Sequence, residues 1–164
     1  MKPFAAVLLI GALAVSACSD GMGYNGGRNT GATAGITDEG NPNDPKSIAY
    51  FKTSVGDRVL FDVDSSSLSP QGRDTAAGQA DWLVQNPDYS VTIEGHADER
   101  GTREYNLALG ARRANALREE LIAAGVSADR LQTVSFGKER PVEICSDESC
   151  YSQNRRAVMV LGAR

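Results

Sequence analysis

The stretch VTIEGHADERGTREYNLALGARRANAL, residues 91–117, decides how this chain folds. It opens with alternation, Val91 and Ile93 against Thr92 and Glu94, which is the period of a half-buried strand. A polar turn follows, ADERGT, in which Gly101 can supply a backbone angle that other residues resist. From about Thr102 the spacing turns helical. Leu107, Gly110, Ala114, Leu117 and Leu121 are expected on one face, with Arg103, Glu104, Arg112 and Glu119 elsewhere. A strand that delivers an acid and a His into a turn, followed by a helix with paired arginines, can frame a small polar pocket.

Upstream, Asp44 can cap a short helix with Pro45 at its first position, running through Ser47, Ile48 and Tyr50. Arg58 to Val63 reads as a strand. Ser69 and Pro70 open a helix whose inward residues are expected to be Ala76, Ala77, Ala80, Leu83 and Val84, and Pro87 ends it. Downstream, Gly125 stops the second long helix. Leu131 to Gly137 then reads as a strand, Lys138 to Asn154 as a loop, and Arg155 to Leu161 as the last strand. The order predicts an α/β fold: a two-layer sandwich in which helices cover one face of a mixed four-stranded sheet.

The 164 residues hold one domain of ordinary size once a leader and linker are set aside. Residues 1–17 read as a secretion signal: Lys2 gives the positive start, and Phe4 to Val15 form an apolar run short for a bilayer. The segment ends Val15-Ser16-Ala17-Cys18, which resembles the lipobox of bacterial lipoproteins. That resemblance implies that Cys18 becomes the first mature residue and carries lipid. Several acyl chains, at about 0.8 kcal/mol per buried methylene, anchor stably. Ser19 rather than Asp after the Cys implies the outer membrane. Residues 18–44 are rich in Gly, Asn and Thr with few large apolar side chains, so a flexible tether is expected before the domain at 45–164. The net charge is −4, or −5 without residues 1–17, and no basic run invites nucleic acid.

GHADERGTREYNLALGARRANAL resembles the peptidoglycan-binding motif of the OmpA-like domain family, in its lipoprotein branch. VSFGKERPV at 134–142 and YSQNRRAVMVL at 151–161 fit the same branch, so the resemblance covers roughly residues 45–164. It implies the same sandwich, with the domain facing the periplasm and bound without covalent chemistry to the diaminopimelate stem peptide of peptidoglycan. It also implies a protein partner, the periplasmic propeller protein TolB, and through it the Tol system of envelope integrity and cell division. An OmpA-like lipoprotein that tethers wall outside the Tol system is the alternative. No cofactor is implied.

Diaminopimelate offers an amine and a carboxylate on one small side chain, so its recognition calls for one fixed anion and one fixed cation a few ångströms apart. Asp98 at the strand exit can accept from the ammonium. Arg113 can clasp the carboxylate through two parallel hydrogen bonds. Asn106 and Arg113 are seven residues apart, nearly two helical turns, and so share a side of the helix. The helix start near Thr102 offers backbone N–H groups that suit an anion. By resemblance, Asp98 and Arg113 match the two motif positions that hold diaminopimelate. Asn106 shapes the turn, Leu109 packs, and Asp64 and Arg100 line the same pocket. His96 reads as a pocket wall, and Arg155 and Arg156 as anchors of the last strand that can also contribute to the pocket.

A competing reading takes Glu94, His96 and Asp98 as alternating strand residues on one side of the sheet, able to hold a metal or serve a hydrolase. Against it stand the single His of the chain and the absence of an evident nucleophile setting. In an exported protein Cys145 and Cys150, with four residues between them, read most simply as a disulfide.

Overall fold

A computed structural model describes residues 39–164. The expected signal peptide (1–17), Cys18 and the tether up to residue 38 lie outside the described residues. Its elements are α1 (Ile48–Tyr50), continuing as a π-helical turn (Phe51–Gly56), β1 (Arg58–Leu60), α2 (Pro70–Gln85), β2 (Tyr89–His96), α3 (Arg103–Ala123), β3 (Leu131–Gly137), α4 (Glu148–Asn154) and β4 (Arg156–Ala163). The four strands form one mixed sheet in the order β1-β4-β2-β3. β4 is antiparallel to both β1 and β2, and β2 runs parallel to β3.

The register explains the core. Val59 pairs with Ala157, Ile93 with Met159, and Val91 with both Leu161 and Leu131. All are buried, so the period-2 alternation puts these seven residues on one face. Ala76, Ala80 and Leu83 of α2 and Ala114, Leu117 and Leu121 of α3 close over that face with no exposure.

Two starting signals and one stop act as read. The Ser69 side chain accepts from the Gly72 N–H with Pro70 in the first turn. The Thr102 side chain accepts from the Tyr105 N–H. Gly125, at φ +100°, ends α3.

The departures have local causes. The cap of α1 is Ser47, whose hydroxyl accepts from the Tyr50 N–H, while the Asp44 carboxylate accepts from Lys46 in the turn before it. On α2, Ala77 and Val84 face solvent, and Gln79 and Trp82 take the inward positions. Trp82 goes inward because its indole N–H reaches Pro45 O (2.8 Å), and its ring packs 4.9 Å from Phe51 and 5.3 Å from Tyr89. On α3 it is Leu109 that is buried, whereas Leu107 is half exposed. β1 stops at Leu60, although Phe61 still donates to Arg155 O. The expected loop 138–154 ends in α4, capped by Asp147 accepting from the Ser149 N–H.

Two contacts set the spacing of helix and sheet. A Cβ on Gly95 would sit 1.8 Å from Gly110 O, and one on Gly110 would sit 2.4 Å from Ser135 Oγ. Strand and helix backbones therefore touch, and Ser135 Oγ donates to Leu107 O (2.7 Å) in the same seam. Arg130 fastens the opposite end. Its buried guanidinium donates to Leu83 O, Asn86 O and Tyr89 O, joining the last turn of α2 to β2.

Candidate functional site

Past the end of β2 the chain turns through Ala97–Thr102 into α3, and the loop after β1 folds over the same corner. Between them lies a cleft of about 340 Å3, lined by Val63, Asp64, Asp98, Arg100, Gly101, Tyr105, Asn106, Leu109 and Arg113. All five residues read from the sequence as binding candidates, Asp64, Asp98, Arg100, Asn106 and Arg113, lie on this one cleft.

Arg113 is the anchor. It is fully buried, and its guanidinium donates to Ser65 O (2.8 Å) through Nε, His96 O (2.8 Å) through Nη1 and Asp62 O (3.1 Å) through Nη2. It thereby ties the β1–α2 loop to the end of β2, with the Phe61 ring 5.3 Å away. Burial pushes its pKa down to about 10, with Asp98 opposing, so it remains charged at neutral pH. Among the described residues no carboxylate lies within ion-pair distance of it. Two of its five N–H donors remain after the three carbonyls. The cation is therefore built into the fold and still short of a counter-charge, a combination that favours an anion in the cleft.

Asp98 faces it from the turn. Oδ1 accepts from the Arg100 N–H (3.2 Å), and Oδ2 accepts from Arg100 Nη2 (2.6 Å) and Arg155 Nη1 (3.2 Å). Burial opposes its ionisation, but the hydrogen bonds from Arg100 and Arg155 outweigh that and hold the carboxyl below the usual range. Asn106 Nδ2 donates to Arg100 O (2.7 Å), and Gly101 at φ +88° completes the turn. Asp64 holds φ +55° in the left-handed region and accepts from the Tyr105 hydroxyl across the cleft mouth. The hydrogen bond to Asp64, with burial, raises the Tyr105 pKa, so the phenol stays protonated.

Several participants were not read from the sequence. Tyr105, Leu109 and Arg113 fall four residues apart, so the helical spacing that joined Asn106 to Arg113 also contained Tyr105. Glu148 and Tyr151 gave no local signal. Both come from α4: Glu148 pairs with Arg155 and lies 3.8 Å from Arg100, and the Tyr151 ring sits 4.6 Å from the Arg100 guanidinium. Of the two arginines expected to anchor β4 and contribute to the pocket, Arg155 does both. Its Nε donates to Phe61 O (3.1 Å) while Nη1 orients Asp98. Arg156 donates to Asn154 O and Arg140 O, away from the cleft.

The residues of the metal reading do not assemble. Asp98 lies beyond the strand and is engaged by arginines. His96 is sealed in, with Glu94 Oε2 3.6 Å from its Nε2, and burial together with Arg156 and Arg140 pushes its pKa down to about 4. Among the described residues the one group close enough to hold an ion is Cys145, Asp147 and Cys150, and its two sulfurs are joined in a disulfide (Cα–Cα 5.7 Å).

The class follows from comparison with known proteins. The OmpA family model matches residues 60–155, and the chain belongs to that family. Similar proteins include several named peptidoglycan-associated lipoprotein. The chain is 49% identical over 157 residues to the one from Rhizobium meliloti, covering 95% of this chain and 86% of that protein. It is 58% identical over 118 residues to the one from Agrobacterium fabrum, covering 72% of this chain and 67% of that protein. The crystal structure of the peptidoglycan-associated lipoprotein from Burkholderia pseudomallei superposes with a TM-score of 0.65 at 41% identity, over 74% of this chain and 98% of that one.

Proposed function

We propose that this chain is a lipid-anchored outer-membrane protein whose periplasmic domain, residues 45–164, clamps the diaminopimelate stem peptide of peptidoglycan without covalent chemistry. One observation carries the reading: a buried Arg113, charged at neutral pH and without a carboxylate partner among the described residues, shares a cleft with the ionised Asp98. Diaminopimelate presents a carboxylate and an ammonium on one carbon, and this cleft presents the opposite pair. Asp64, Arg100 and Asn106 shape the walls. The relatives' name, peptidoglycan-associated lipoprotein, supports wall binding. No helix among the described residues is long and apolar enough to cross a membrane, so acyl chains on Cys18 are the anchor of this reading. TolB is its protein partner, placing the chain in the Tol system.

The test is cosedimentation of the full chain, in mild detergent, with purified diaminopimelate-type peptidoglycan. Wild type should pellet with the wall, and Asp98→Asn should stay in solution while still folded, at a melting temperature lowered by loss of the charge that Arg100 and Arg155 bond. Equal pelleting of both removes Asp98 from the site. Arg113→Ala is a poor partner for this assay because three backbone carbonyls depend on that guanidinium.

A further inference from the structure

In this structure Oδ2 of Asp98 is fully engaged, accepting from the guanidinium groups of Arg100 and Arg155, whereas Oδ1 accepts only from the Arg100 backbone N–H. A ligand ammonium can take Oδ2, the oxygen that holds both cations, only if one guanidinium leaves. Arg155 is held on three sides, by Phe61 O, Asp98 and Glu148, with its side chain 6% exposed. Arg100 is less confined. Its side chain is 44% exposed, and its backbone is fixed independently, the N–H by Asp98 Oδ1 and the carbonyl by Asn106. The side chain can therefore swing without moving the turn. A second seat stands beside it: Glu148 Oε2 is 3.8 Å from Arg100 Nη2, and the Tyr151 ring centroid is 4.6 Å from Cζ. Both of its residues belong to α4, which the Cys145–Cys150 disulfide and the Arg155–Glu148 pair hold against the cleft.

We propose that Arg100 is a displaceable placeholder, occupying the ammonium position on Asp98 in the free protein and passing to Glu148 and Tyr151 when an ammonium-bearing ligand enters. The inference rests on the clamp reading above and deepens it. Exchange of one cation for another keeps Asp98 compensated at every stage, so the empty site stays stable and the ligand meets an exposed competitor instead of a buried one. It also sets selectivity. A ligand lacking the ammonium gains nothing by displacing Arg100, and Asp98 stays shielded from it.

Calorimetry on the full chain with the tripeptide L-Ala-γ-D-Glu-meso-diaminopimelate, and with the same tripeptide acetylated on the diaminopimelate amine, tests it. Removing an exposed competing ion pair should tighten Arg100→Gln for the unmodified tripeptide by about two- to fivefold, with Arg100→Lys in between. The gain should vanish for the acetylated peptide. Glu148→Gln should weaken wild type and cost less in the Arg100→Gln background. Equal or weaker binding by Arg100→Gln overturns the placeholder and leaves Arg100 as an ordinary wall or ligand contact. Wild type that binds no more tightly than Asp98→Asn overturns the clamp itself.

Discussion

At the scale of single residues, Arg113 shows how a binding cation can also be structural. Its guanidinium bonds three carbonyls that come from two separate segments, so truncation leaves buried acceptors without donors. Arg113→Ala should destabilise the domain by about 3–5 kcal/mol, seen in urea melts as a lower midpoint at unchanged slope. Arg113→Lys should recover only part, because an ammonium cannot span three diverging carbonyls. The helical spacing to Asn106 revealed that Arg113 faces the cleft. That it is fully buried was not legible, since burial of an arginine depends on carbonyls roughly fifty residues away in sequence.

Among the elements, the seam between β2 and α3 is the tightest. Gly95→Ala drives a Cβ into Gly110 O at 1.8 Å, a backbone atom that moves only with the helix. Gly110→Ala first meets the Ser135 hydroxyl, though Gly95 O follows at 2.7 Å. Gly95→Ala should cost about 3 kcal/mol or more and Gly110→Ala somewhat less. Ser135→Gly should rescue part of the second and none of the first in thermal melts. Helix α4 shows the opposite dependence. Its seven residues carry little stability alone, and the Cys145–Cys150 disulfide, Asp147 cap and Arg155–Glu148 pair hold it. The double change Cys145→Ser/Cys150→Ser closes no loop and should lose about 1–2 kcal/mol. It should also increase amide exchange across residues 145–154 while the sheet stays protected.

The whole molecule should feel acid at two depths. His96 titrates near 4 in the folded state against an ordinary value of 6.5, so between those values the unfolded chain binds more protons. Stability therefore rises with pH through that window and falls on acidification, by about 2–3 kcal/mol if His96 acts alone. His96→Asn should flatten the slope, measured as melting temperature from pH 7 to 4. Asp98 adds a later loss. Its folded value lies below the ordinary 3.8, so its contribution is complete above that value and disappears as pH falls through the lower folded one.

The same scale separates what is local from what is not. Strand alternation at residues 91–94, helix starts at Ser69 and Thr102 and the stop at Gly125 rest on a residue and its near neighbours, so the chain alone determined the α/β order, the mixed sheet and the sharing of one site by Asp98, Asn106 and Arg113, while Asp64 and Arg100 came by family resemblance. The boundaries of face and site did not. Trp82 turned inward because Pro45 O lies across the fold, Leu107 turned outward, and Glu148 and Tyr151 joined the cleft through Arg100 and Arg155. Periodicity says which residues share a side. Only tertiary packing, through partners distant along the chain, decides which buried groups are satisfied and which charge is left waiting for a ligand.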